Sequence, residues 1–256
     1  MRLPPVLRLV VRNFTSNLDA ITIIIRFGQP AITIVVLGTM FSGIISSQAT
    51  GGPYIGFLVP GMVAFQMITG GVISGNLFWL DRRWAMTEQI FSGPFLRSEY
   101  LGGLVLTTLL FSMVGVGAMI LIGLPFIGLS ALSLFGLAVV LLTVALGAIF
   151  FAGLLIALGS KLRSANAYFS IQSFLQLFVI FLSTVYYPIQ SSTPPALAAV
   201  FYANPLTYAA NTIRDAFMGT LGVADAISLG ILGGLAALTF GIAIWGFRTL
   251  ELGPIQ

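Results

Sequence analysis

Six long apolar stretches dominate the chain, at residues 27–47, 54–78, 102–124, 131–158, 167–187 and 226–247, and none contains Asp, Glu, Lys or Arg. As helices rising about 1.5 Å per residue, all six are long enough to cross roughly 30 Å of bilayer hydrocarbon. Placing them uses up the sequence. A chain of 256 residues with 58% apolar and 7% charged side chains reads as one all-α integral membrane domain over 1–256, since a soluble domain carries roughly 25% charge. The mean hydropathy of +1.06 agrees.

The charges orient the spans. Ten of the eleven Lys and Arg residues fall on the side shared by both termini: Arg2, Arg8, Arg12, Arg26, Arg82, Arg83, Arg97, Lys161, Arg163 and Arg248. By the positive-inside rule this face, with both termini, is expected in the cytoplasm, leaving Arg214 outside. The chain is therefore expected in the cell (cytoplasmic) membrane as a multi-pass protein. A sequence pI near 9.8 is a topology signal here, because the basic residues sit in small groups beside apolar segments, and no nucleic-acid site is expected. The N-terminal MRLPPVLRLVVRNFTSNLDAIT lacks the apolar core and small-residue cleavage site of a secretory signal and is expected in the mature protein. Its Leu7, Val10, Val11, Phe14 and Leu18 on one side, opposite Arg8 and Arg12, predict an amphipathic interfacial helix within 1–26. An ordinary basic flank that fixes topology is the alternative.

Catalytic chemistry is missing from the spans. They hold no nucleophile–base pair, no paired carboxylates and, with neither Cys nor His in the chain, no zinc or thiol chemistry. No metal or cofactor site and no catalytic residue is expected. A charge near the bilayer centre, which costs about 2.5–3.5 kcal/mol and survives for ion coupling, is also absent. No G-x-x-x-x-G-K-[ST] loop is present, so any nucleotide must be bound by another chain. The polar residues Gln66, Thr69 and Ser74 dot the second span, and Gln172, Gln176 and Ser183 recur on one face of the fifth. They line a translocation pathway or cross-link neighbouring helices, two readings that the spacing leaves open. Gly71 with Gly75, and Gly230 with Gly234, have the spacing that permits close helix contact.

The segment 81–94, DRRWAMTEQIFSGP, interleaves Trp84, Met86, Ile90 and Phe91 with Arg82, Arg83 and Glu88. It fits a short amphipathic helix across the cytoplasmic mouth or a solvated loop. The outer segment 188–225 is semi-apolar and broken by Pro188, Pro194, Pro195 and Pro205, which predicts short re-entrant helices between spans five and six.

Together YIGFLVPGM (54–62), DRRWAMTEQIFSGPFLRSEYLGG (81–103) and LSTVYYPIQSSTPPALAAVFYANPLTYAANTIRDAF (182–217) resemble the permease subunit of type-2 ABC transporters, over essentially the whole chain. Members include nodulation-factor, daunorubicin-resistance and polysaccharide exporters. The resemblance implies six spans and a coupling helix at 81–94 that docks on a separate ATP-binding subunit. Trp84, Met86, Ile90 and Phe91 would be buried anchors and Arg82, Arg83 and Glu88 rim pairs, with a smaller contact at Lys161 and Arg163. It further implies that the second and fifth spans face the pathway, and that Pro188, Asn204, Pro205, Tyr208 and Arg214 shape the outer re-entrant segment. The implied assembly is two copies of the chain, as a homodimer, with two ATP-binding subunits that hold ATP and Mg, all in contact with membrane lipids. Ala85 stands where many members have Gly, and Asn211 where an acidic residue is common. The competing reading is a nucleotide-independent small channel or membrane scaffold.

Overall fold

The computed structural model describes the backbone of residues 4–17, 19–45, 47–50, 52–93, 95–127, 132–190 and 192–248, and the side chains of these apart from 20, 22, 23, 25–27, 49 and 248. Leu18, Arg2 and the side chains of Arg26 and Arg248 therefore lie outside the described residues. Among the described residues every regular element is a helix: α1 (Pro5–Thr15), α2 (Ala20–Ser42), α3 (Ser47–Thr50), α4 (Tyr54–Arg83), α5 (Met86–Ser92), α6 (Arg97–Ile127), α7 (Leu134–Lys161), α8 (Ala165–Phe181), α9 (Pro195–Ala203), α10 (Pro205–Met218) and α11 (Val223–Arg248).

Of the six expected spans, α4, α6, α7 and α11 are long and apolar enough to cross a membrane, whereas Gly28–Ser42 of α2 and α8 are shorter apolar helices. The fifth expected span, 167–187, stops at Phe181 for a local reason. The Ser183 hydroxyl donates to the carbonyl of Ile180 and accepts from the amide of Val185, so a side chain competes with the helical ladder. Asn204 Nδ2 then donates to the carbonyls of Val179 and Leu182, both at 2.7 Å. The last carbonyls of α8 are satisfied without another turn. Elsewhere α4 and α6 overrun their apolar stretches, to Arg83 and from Arg97, while α2 stops at Ser42, short of 47, and α7 starts at Leu134, after 131.

The core lies between α4 and α7. Gly71 and Gly75 admit α7 so closely that a Cβ on either would collide with Phe151 or Leu155. Close backbone approach of this kind supplies the van der Waals packing that holds helices together in lipid. Gly230 and Gly234 of α11 have the same spacing but face open space. Helix α6 packs on α4, α11 on α7, and α10 lies across both α4 and α7. The amphipathic helix α1 is present and seated on α6. Its buried face is Leu9, Val10 and Asn13, with the Phe14 ring stacked 4.4 Å from Phe111. Leu7 and Val11, expected on that face, point outward, because α1 has two apolar sides and α6 covers one of them.

Candidate functional site

The corner between α4 and α6 is built by one backbone departure. Helix α4 ends at Arg83, and Ala85 takes a left-handed φ of 52° before α5 starts at Met86. This elbow lifts Trp84 to 68% exposure and leaves Arg83 and Met86 open. The Arg83 guanidinium lies 5.6 Å from the Trp79 ring and 5.7 Å from that of Trp84. Ile90 and Phe91 instead turn inward, where Phe91 meets the rings of Tyr100 and Phe247 edge-on at 5.7 Å. Thr87 is buried and Glu88 half-buried. Arg82 faces the protein: its Nη1 donates to the carbonyls of Gly159 (2.6 Å), Ser160 (3.1 Å) and Leu162 (3.0 Å). It caps the end of α7 and stabilises the negative pole there. Of the residues expected to dock a partner, the exposed ones are Arg83, Trp84, Met86, Lys161 and Arg163, while Arg82, Ile90 and Phe91 are committed to the fold. Lys161 Nζ stands 4.8 Å over the Trp245 ring.

Behind the elbow lies a polar joint that reading the spans alone missed. Asp81 Oδ2 accepts from Arg12 Nη2 at 2.6 Å and from the Tyr100 hydroxyl at 2.8 Å. Asn13 Nδ2 donates to Thr107 Oγ1 at 3.1 Å. These bonds tie α1, α4 and α6 at one level. The available signal was Asp81 itself, an acidic residue at a helix end with Arg12 on the preceding amphipathic helix.

The six polar residues of the second and fifth spans do not share one lumen. Gln66 Oε1 lies against Gly115, and Ser74 Oγ donates to the carbonyl of Leu104 at 2.8 Å and bonds Thr108. Ser74 cross-links α4 to α6, whereas Gln66 only packs on α6, with its Nε2 buried and without a partner. Thr69 is half-buried, and Ser183 closes the end of α8. Gln172 and Gln176 alone come together, on a small cavity of about 20 Å³ beside Val72, Phe151 and Val179. Gln172 Oε1 is buried there without a partner. Beside them α8 exposes Phe174, Leu177, Phe178 and Phe181.

At the opposite end of α4 the motifs meet. Phe57 lies 25 positions before Arg82, which on a straight helix is about 38 Å. Around Phe57 converge FLVPGM from α4, the STVYY turn after α8, and NPLTY with Arg214 from α10. Asn204 Oδ1 accepts from the amide of Leu206 at 3.0 Å, and Pro205 occupies the first helical position, so NP starts α10 as cap and N1 proline. That start aims the buried Arg214 into the junction. Its Nε donates to the Phe57 carbonyl (3.1 Å), Nη1 to Asn211 Oδ1 (3.0 Å), and Nη2 to the carbonyls of Val185 (3.3 Å) and Thr184. The guanidinium carbon also lies 3.6 Å from the Phe57 ring centre. Gly61 must be Gly, since a Cβ would sit 2.6 Å from the Val185 carbonyl. Tyr208 packs against the core and Pro188 is half-buried in the turn.

A helical membrane protein with an amphipathic helix at one edge, an angular elbow at one end and a broken, arginine-pinned helix pair at the other is the class these observations define. The model of the ABC-2 type transporter family matches residues 6–218. The chain belongs to that family and is a transmembrane permease component of an ABC transporter. A comparison with curated proteins finds no match.

Proposed function

We propose that the chain is the membrane-spanning half of an ATP-driven exporter, powered by a separate ATP-binding subunit that docks on the elbow. The observation that carries this reading is the exposure of Trp84 and Met86 on a corner that the fold otherwise spends its polar bonds to fix. Large anchors flanked by charge, with Arg83 on one side and Arg163 and Lys161 near the end of α7, are what a protein partner needs for affinity and orientation. The Arg82 cap and the Asp81 joint make the elbow rigid against α7, α1 and α6, so a push on it moves the bundle instead of a loop.

In this reading the elbow and both termini are cytoplasmic, α2 and α8 cross the membrane with the four longer helices, and α9–α10 form the outer re-entrant cap. Two copies of the chain pair through faces that include α8. Gln172 and Gln176 face the pathway, the exposed aromatics of α8 face lipid or the second copy, and the cargo is amphipathic, lipid-like or a glycan. The ATPase chemistry, with ATP and Mg, belongs to the partner.

The test is isolation from native membranes in mild detergent. An equimolar ATP-binding chain and ATP hydrolysis, both lost in a Trp84→Ala/Met86→Ala variant that still inserts, are expected. A preparation with no partner and no hydrolysis, even after gentle cross-linking in the membrane, supports the channel or scaffold instead.

A further inference from the structure

Both α6 and α11 pack on α7, and where α6 begins and α11 ends they leave a groove of about 380 Å³ between them. We propose that the groove holds an acyl chain of an anionic phospholipid from the leaflet on the elbow side, with the lipid phosphate received by Arg97. The inference needs only the membrane-spanning course of the two helices and goes beyond the exporter reading.

The walls call for hydrocarbon. Phe240, Ile244 and Phe247 line the groove from α11, spaced four and three positions apart and so on one face of that helix, and Leu101 and Gly102 line it from α6. On the inner side lies the apolar cluster that joins Leu101 and Phe247 to Ile156 of α7. Phe247 is itself fixed, its ring stacked on Tyr100 at 5.8 Å and edge-on to Phe91 at 5.7 Å. A Cβ on Gly102 would meet nothing within 4 Å, so the missing side chain leaves the groove its width. From Phe247 to Phe240 the helix rises about 10 Å, which makes a slot that runs with the helices and therefore with lipid chains. The volume lies within the roughly 300–1,000 Å³ of ordinary ligand sites.

Charge enters at the mouth. Among the described residues lining the groove Arg97 alone is charged, and it is exposed. Its Nη1 donates to the Phe247 carbonyl at 3.4 Å, and the guanidinium carbon lies 6.0 Å from the ring centres of Phe91 and Phe247. The cation is thereby held across the mouth, from α6 to the end of α11. Arg97 precedes the uncharged stretch that begins at residue 102 by about 8 Å of helix, which is the depth of the headgroup layer. A guanidinium at that depth suits a phosphate, which it can bond through two parallel N–H groups, with the tail in the slot below. A soluble phosphate would leave the slot unfilled. A choline or ethanolamine head offers the same phosphate but brings its own cation, which repels Arg97, so a head without an ammonium is favoured. The lipid would touch Phe247, on which Phe91 of the elbow packs, and so brace α11 against α5.

The test is native mass spectrometry of the purified protein after equal titration with phosphatidylglycerol and phosphatidylcholine. The expected result is one lipid per chain, with the glycerol lipid retained about fivefold better than the choline lipid, the effect of one arginine beside an anionic head. Arg97→Gln should abolish the preference, and Arg97→Lys, which keeps the charge, should retain it. Gly102→Leu, which fills the slot and favours the helix, should displace the bound lipid of either kind. Equal retention of the two lipids, full preference in Arg97→Gln, or unchanged retention in Gly102→Leu overturns the proposal. So does a pair of chains that Gly102→Leu splits into single chains with no lipid lost, which would seat a second copy in the groove. No ATP-binding chain enters this readout. A preparation that hydrolyses ATP but shows no lipid preference sinks this site and leaves the exporter reading standing, and a lipid preference in a preparation with no copurifying ATPase does the reverse.

Discussion

Ala85 is the one non-glycine residue with positive φ among the described residues, and it sits at the turn that forms the elbow. Holding an L-residue in the left-handed region costs about 1–2 kcal/mol, whereas Gly pays there only its greater freedom when unfolded, roughly 0.5–1 kcal/mol. Ala85→Gly should therefore stabilise the protein slightly, by about 0.5 kcal/mol, and Ala85→Val should destabilise it more than that, as read from thermal unfolding in detergent. The resemblance to other permeases already placed Gly at this position, and the backbone now supplies the reason. Asn211 poses the matching question at the other end. Arg214 is buried with only neutral oxygens as hydrogen-bond acceptors, Asn211 Oδ1 among them. A carboxylate there would turn a hydrogen bond assisted by one charge into an ion pair. Asn211→Asp should raise the unfolding temperature, and Asn211→Leu should lower stability by about 1–3 kcal/mol by leaving the guanidinium short of a partner.

Helix by helix, the apolar pattern located the elements well, because hydrocarbon demands a long uncharged run whatever the neighbours are. It could not say which side of a helix meets which neighbour. The two G-x-x-x-G pairs show why: Gly71 and Gly75 are pressed against α7, while a Cβ on Gly230 or Gly234 would meet nothing within 4 Å. Gly71→Ala should force the backbones of α4 and α7 apart and cost about 1–3 kcal/mol. Gly230→Ala should be neutral or stabilising by up to about 1 kcal/mol, from helix propensity alone. Parallel melting curves of the two variants check the contrast. The same limit governs the candidate sites. Arg82 and Arg83 are adjacent letters of like chemistry, yet a helix turns about 100° between them, and one caps α7 while the other reaches solvent. Gln66 and Ser74 share a span with Thr69, but the register of α4 against α6 decides that both are turned onto α6, where Ser74 bonds Leu104 and Thr108. Gln172 and Gln176 fell together because their spacing of four already fixed a common face.

For the molecule as a whole, the three motif segments that carry the resemblance are far apart in sequence, and they gather at two ends of one helix. FLVPGM, STVYY and NPLTY join around Arg214, while DRRWAM forms the elbow. Helix α4 thus links the elbow to the arginine junction about 38 Å away. Arg214 bonds both the Phe57 carbonyl and the turn after α8, so a displacement of α4 must carry the turn after α8 and the second half of α10 with it. On the exporter function proposed above, cutting that junction should then separate energy use from transport. Arg214→Met, of similar length but unable to bond carbonyls, should leave partner binding at the elbow and basal ATP hydrolysis within about twofold of wild type while transport falls by about tenfold or more. Reconstituted vesicles, assayed for ATP hydrolysis and for movement of a fluorescent amphipathic lipid, distinguish the outcomes. Loss of both activities together, with the complex intact, would mean that the junction at the far end governs partner engagement itself and that α4 does not act as a one-way lever. Normal transport in the variant would mean that α8 and α10 are held by the apolar core around Val185 and Ile213, and that the arginine only fills its site.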